Sequence, residues 1–187
     1  MADLPTAPEV ARQVADALEA AGLPYAIGGA IAYGLHAPPR ATNDVDVDLF
    51  VGPDQYEAGF DALETAGAVI DRQSARHTAS ERGEFAARVR GMRVDVFVPS
   101  IPLYASAAQR VRTGVLLGRP IVVLASEDLV LFKLLFFRPK DVLDIERLVA
   151  FQGPALDRAY VRRWLVDLMG PDDERVVRWD AIVDGTP

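Results

Sequence analysis

Cysteine is absent from the 187 residues, and histidine occurs only as His36 and His77. No disulfide framework, thiol nucleophile or zinc–thiolate site can form, and a metal would have to be held by oxygen or imidazole ligands. Basic residues are outnumbered, 20 Lys and Arg against 27 Asp and Glu, which leaves a net charge of −7. A protein that coats nucleic acid nonspecifically is normally basic, so that class is disfavoured. No apolar run approaches the roughly 20 residues needed to cross a bilayer. The opening MADLPTAPEV has acids but no base before Arg12 and no apolar core, so it does not read as a secretory signal. A cytoplasmic protein with no membrane partner is expected. Internal repeats, low-complexity tracts and Gly/Ser linkers are also missing. What remains is 50% apolar and 25% charged, the balance of a folded globular protein of about one domain.

Residues 8–21 place Val10, Val14, Ala17, Leu18 and Ala21 at helical spacing and stop at Gly22. After Pro24, Tyr25 to Ile27 reads as a short strand running through Gly28-Gly29 into a helix over 30–35. Residues 45–51 alternate as a strand, Pro53 ends it, and 54–65 resume a helical period. A strand near 68–70 leads to a polar stretch over 71–83. The runs 84–90 and 92–99 flank Gly91 as a hairpin. Residues 100–118 have no clear period. A buried strand is expected over 119–125, then a helix through Phe137 capped by Ser126 with Glu127 and Asp128. Further helices are expected over 140–151, 155–169 and 172–180. The fold class is α/β (α+β), with a mixed sheet in front and about sixty helical residues behind.

The chemistry concentrates in TNDVDVDLFV, residues 42–51. Asp44, Asp46 and Asp48 alternate with Val45, Val47, Leu49 and Val51. In a strand the carboxylates share one face and the apolar side chains enter the core. Carboxylates at i and i+2 lie roughly 6–7 Å apart at the backbone, and their side chains can converge on one divalent ion or on a pair about 4 Å apart. Unneutralised they would repel, a conflict that a hard cation such as Mg²⁺ resolves. A second run, VDVFV over 94–98, sets Asp95 between valines in the same way. Lying beside the first strand, it would supply a third ligand. Aspartate is a poor strand residue, so four of them in two valine-rich strands point to a site rather than a solvated face. Gly28-Gly29 opens a helix, a geometry suited to phosphate. A phosphate cradle, then Arg40 and Thr42, then paired aspartates, then one more aspartate, is the order that metal-assisted nucleotidyl transfer needs. His36 and His77 read as structural or surface residues.

This pattern resembles the nucleotidyltransferase (polymerase beta-like) superfamily: an apolar strand, Gly-Gly or Gly-Ser, a helix, Asp-x-Asp, and a third acid on a later strand. RATNDVDVDLFV further resembles the R-x-T-x-D-x-D segment of AbiEii-like nucleotidyltransferases, the toxin halves of some toxin–antitoxin pairs. SEDLVLFKLLFFRPKDVLDIERL is similar to the segment downstream of it, and the likeness spans about residues 24–150. It implies a catalytic nucleotidyltransferase core over 1–125 and a helical region over 126–187 packed on it. Asp44, Asp46 and Asp95 would bind Mg²⁺ or Mn²⁺, with Asp95 helping to activate the attacking hydroxyl. Gly28, Gly29, Arg40, Thr42, Lys133 and Asp144 would serve the nucleotide, and Asp141 and Asp144 would organise the site. Two departures stand out. Gly29 sits where many relatives carry Ser, and the extra Asp48 leaves open whether Asp44/Asp46 or Asp46/Asp48 is the metal pair. Lys133 also has a plain reading as a lysine snorkelling from an apolar helix, and Asp141 and Asp144 as a cap and a salt bridge.

The implied reaction transfers NMP from an NTP to a hydroxyl acceptor and releases pyrophosphate. From Arg72 to Arg112, eight arginines face only Glu81, Glu84 and Asp95, a local charge of +5 within an acidic chain. That stretch suits a triphosphate or a tRNA or other RNA 3′ end, or is a solvated hairpin face. An aminoglycoside-type small acceptor, and an inactive binding module working with a cognate antitoxin, are the alternatives.

Overall fold

The computed structural model describes residues 5–185, and the described chain divides into two compact units, residues 5–32 with 39–124, and residues 33–38 with 125–185.

The first unit is built on a seven-stranded mixed sheet. Its strands are β1 (Tyr25–Ile27), β2 (Asp44–Leu49), β3 (Ala68–Val69), β4 (Glu84–Val89), β5 (Met92–Phe97), β6 (Arg112–Leu116) and β7 (Arg119–Val123), in the order β3-β4-β5-β2-β1-β7-β6. β2 runs parallel to β5 and antiparallel to β1, while β4 and β5 form the expected hairpin. Period-2 alternation sends Val45, Val47, Leu49, Val94 and Val96 to one face, all fully or almost fully buried. Helices α1 (Ala7–Ala20) and α3 (Tyr56–Thr65) lie against each other, and α1 also meets β1, β2 and β7. α1 starts with a capping box in which Thr6 and Glu9 satisfy each other's backbone N–H groups. It buries Val10, Val14 and Leu18, one stripe of its surface. Phe60 of α3 meets Phe85 of β4 edge to face at 5.2 Å.

The polar stretch over 71–83 is a helix, α4 (Arg72–Arg82). Its only buried residues are Ala75 and Ala79, so it lacks the apolar stripe that reveals a helix in sequence. Asp71 caps its first turn through the Ser74 N–H, and Gly83 ends it in the left-handed conformation. Arg72 ties it to α3 through Glu57, Asp61 and Glu64. Residues 100–118 resolve into α5 (Leu103–Arg110) and β6, which pairs antiparallel with β7. β7 itself is less buried than expected, since Arg119 and Pro120 are exposed and Ile121 and Val123 alone turn fully inward within it.

α2 (Gly29–His36) begins in the first unit and ends in the second. The rest of the second unit is helical: α6 (Ser126–Phe136), α7 (Pro139–Gln152), α8 (Arg158–Met169) and α9 (Glu174–Asp184). α6 buries nearly every residue and packs on α7 and α8, which in turn meet α9. The expected Ser126 cap is not formed. Ala125 occupies the N-cap and Ser126 is already the first helical residue. Glu127 instead accepts from the Asp157 N–H at 3.1 Å, and Asp128, fully buried, accepts from the Tyr160 hydroxyl at 2.6 Å. Gln152 reaches the carbonyl of His36 within this unit.

Candidate active site

The site is built on β1, the turn after it, β2 and β5. At the end of β1 the Gly28 N–H donates to the Asp46 carbonyl at 2.9 Å, and the Gly28 carbonyl accepts from Ala32 as α2 starts. Gly29 adopts φ +52°, a region that glycine enters without penalty. A Cβ on Gly29 would stand 1.6 Å from Asp46 Oδ2, and one on Gly28 would stand 2.8 Å from Asp48 Oδ2. Each glycine of the turn thus faces an aspartate of β2. Glycine in place of serine at position 29 has a physical reason here, because any side chain would collide with the Asp46 carboxylate.

Asp46 lies directly across from Asp95 in the parallel pairing of β2 and β5, with Asp44 across from Arg93 and Asp48 across from Phe97. Neighbouring strands are about 4.8 Å apart, so the Asp46 and Asp95 side chains leave adjacent points on the same face. β4 continues these rows, with Ala86 beside Asp95 and Arg88 beside Arg93. Asp44 and Asp46 are half-buried, whereas Asp48 is buried at 4% exposure beside Gly28. Asp46, common to both possible pairs, is the aspartate of β2 that meets the third carboxylate. Tyr104 of α5 is buried, and burial followed by the charges of Asp48 and Glu84 pushes its phenol well above the ordinary range.

Thr42 donates its hydroxyl to the Asp44 carboxylate, and an Arg40 guanidinium N–H approaches the Ala41 carbonyl at 3.4 Å. Arg93 grips Asp95. Its Nε donates to both carboxylate oxygens at 2.8 and 2.9 Å, and Nη2 stands 2.6 Å from Oδ1. The Asp95 hydrogen bond and charge raise the Arg93 pKa, and Asp44 and Glu84 add to the effect. This partnership was not anticipated from the sequence. Its signal was there, because Arg93 precedes Asp95 by two residues in one strand and so shares its face.

In residue type and placement the three carboxylates fit a hard divalent ion, being oxygen donors on one face of adjacent strands. Among the described residues, no three His, Asp or Glu side chains come together as they stand closely enough to hold a metal ion, so the fit is one of donor type and strand register. Both oxygens of Asp95 are engaged by Arg93, so seating a cation asks Arg93 to release part of that carboxylate.

Lys133, Asp141 and Asp144 belong to the helical unit and come together there. Lys133 Nζ is 2.8 Å from Asp144 Oδ2 and 3.7 Å from Asp141 Oδ1, with all three side chains at most 7% exposed. The lysine does not snorkel, since its charged end is buried between carboxylates. Asp141 also accepts from the Arg138 N–H at 3.2 Å and from the Arg138 side chain, capping α7. Of the eight arginines in the basic stretch, Arg72 and Arg76 are tied to acids of α3, while Arg88 and Arg93 lie on the exposed carboxylate face. His77 is exposed on α4.

No family model matches the chain, and no curated protein matches it in sequence. Solved structures do. The antibiotic-resistance factor ANT(2'')-Ia in solution is 15% identical, with 86% of this chain and 94% of that one covered at a TM-score of 0.57. The same factor in complex with adenylyl-2''-tobramycin is 17% identical over 92% and 94%, at 0.50. An antigenic nucleotidyltransferase-like protein from Paracoccidioides brasiliensis is 16% identical over 96% and 92%, at 0.52. At these identities the likeness is one of fold, and the fold is that of the nucleotidyltransferases.

Proposed function

We propose that this chain is a metal-dependent nucleotidyltransferase that moves NMP from an NTP to an acceptor hydroxyl. The observation that carries the reading is the placement of Asp46 across from Asp95, with the Gly28-Gly29 turn seated against the carboxylates of β2. Asp44, Asp46 and Asp95 would hold Mg²⁺ or Mn²⁺. An ion held there lowers the pKa of the attacking hydroxyl and offsets charge on the attacking and leaving oxygens. The acceptor hydroxyl gives up its proton to solvent water, its oxygen forms a bond to the α-phosphorus, the bond to the bridging oxygen breaks, and pyrophosphate leaves. Asp95 orients the acceptor hydroxyl, the start of α2 at Gly29 presents backbone N–H groups to the phosphates, and Arg40 and Thr42 serve the nucleotide. Positioning and charge supply most of the acceleration.

For the acceptor we propose an RNA 3′ end, such as that of a tRNA, in the manner of a toxin held by a cognate antitoxin. Arg88 and Arg93 beside the carboxylate row support it. A small aminoglycoside-type acceptor is the second reading, favoured by the structural likeness to the ANT(2'')-Ia complex with adenylyl-2''-tobramycin. The test incubates the protein with each α-labelled NTP and, in separate reactions, total RNA or tobramycin. Label in RNA supports the first acceptor and label in tobramycin the second. Correctly folded Asp46→Ala should lose at least about 100-fold in rate, the scale of removing a transition-state charge stabiliser; transfer at the wild-type rate refutes the mechanism. Calorimetry that finds no Mg²⁺- or Mn²⁺-dependent NTP binding would leave only a non-catalytic binding module.

A further inference from the structure

We infer that Arg93 is a displaceable counter-ion for Asp95, a positioning residue that competes with the divalent cation and sets how tightly the site takes it. The inference rests on the metal-binding reading above. Arg93 and Asp95 sit two residues apart on one strand and one face, joined through both carboxylate oxygens. The arginine side chain is 57% exposed and the aspartate 21%. Arginine matches a carboxylate as a planar fork, so it fills the positions a cation would otherwise use. It is also flanked on both sides in register, by Asp44 on β2 and by Arg88 on β4. The guanidinium offsets the charge of Asp95 and, more weakly, that of Asp44. An exposed pair of this kind is weak, so a divalent ion displaces it at a cost of about two- to fivefold in affinity. Arg88 marks the difference between a specific competitor and a diffuse field. It places the same charge on the same face one strand further out, and its guanidinium donates to the Gly91 carbonyl at 3.0 Å.

Mn²⁺ titration calorimetry on the whole chain tests this with Arg93→Gln, Arg88→Gln, Asp95→Asn and the Arg93→Gln/Asp95→Asn pair. Arg93→Gln should tighten Mn²⁺ binding about two- to fivefold, Arg88→Gln should do so by clearly less, and the Arg93→Gln gain should vanish in the Asp95→Asn background. Unchanged or weaker Mn²⁺ binding by Arg93→Gln overturns the inference, as does an equal gain from Arg88→Gln or a gain that survives Asp95→Asn. In those cases wild-type Mn²⁺ binding still stands, and with it the nucleotidyl-transfer reading. Wild type that takes no Mn²⁺ at all removes both.

Discussion

A side chain at position 29 must accept a left-handed backbone and a carboxylate in the space its Cβ would fill. The first costs about 1–2 kcal/mol for a non-glycine residue, and the collision with Asp46 adds to it. Gly29→Ala should therefore lower the unfolding free energy by about 2–3 kcal/mol in urea titration. In an Asp46→Ala background the same change should cost less, because the carboxylate collision is gone and only the backbone part and a 2.9 Å approach to the Cβ of residue 46 remain. The carboxylate rows were readable in the sequence, since alternation with valine fixes which side chains share a face. The i, i+2 spacing placed Arg93 and Asp95 on one face but not the rotamers that join them, and the contact of Gly29 with Asp46 was not readable because it depends on a neighbouring strand.

Between elements, buried polar joints matter more than surface ones. The hydroxyl of Tyr160 on α8 meets the fully buried Asp128 on α6. Tyr160→Phe should cost about 1–3 kcal/mol, the range for removing a partner from a buried acceptor, seen as a lower urea midpoint. The exposed ties of Arg72 to Glu57, Asp61 and Glu64 join α3 to α4. Arg72→Ala should cost less than about 1 kcal/mol and lose most of its effect in 1 M NaCl. Elements with an apolar period, such as α1 and β2, were legible in advance. α4 was not, because charge pairs rather than an apolar stripe hold it, although Asp71 and Gly83 were signals at its ends. The Ser126 cap failed for a related reason: one extended residue, Ala125, shifts the start of the helix, and a serine before two acids does not fix that register.

For the molecule as a whole, charge controls behaviour in acid. The Asp16 carboxyl is held below its usual range first by the Arg119 hydrogen bond, and that of Glu64 first by Arg72. A depressed folded pKa means the native state binds fewer protons than the unfolded chain. Stability is then present above the ordinary carboxylate range, near 4, and is lost as pH falls through the folded values. Urea midpoints should fall below about pH 4, and Arg119→Ala should flatten that fall. The acidic balance still governs how RNA would be held. With Arg72 and Arg76 committed to α3, the RNA end proposed above would meet fewer cations than the eight arginines of that stretch. The slope of log K against log salt should be shallow, about −2 for three phosphates on a single strand.

The interleaving of the two units bears on how the chain is made. Residues 33–38 leave the ribosome long before residues 125–185, with which they form one compact unit. Tyr33, 1% exposed in the finished protein, lies in that segment. A fragment cut at Leu124 would therefore part this segment from the rest of its unit, so the two units are not separable by truncation at a single peptide bond.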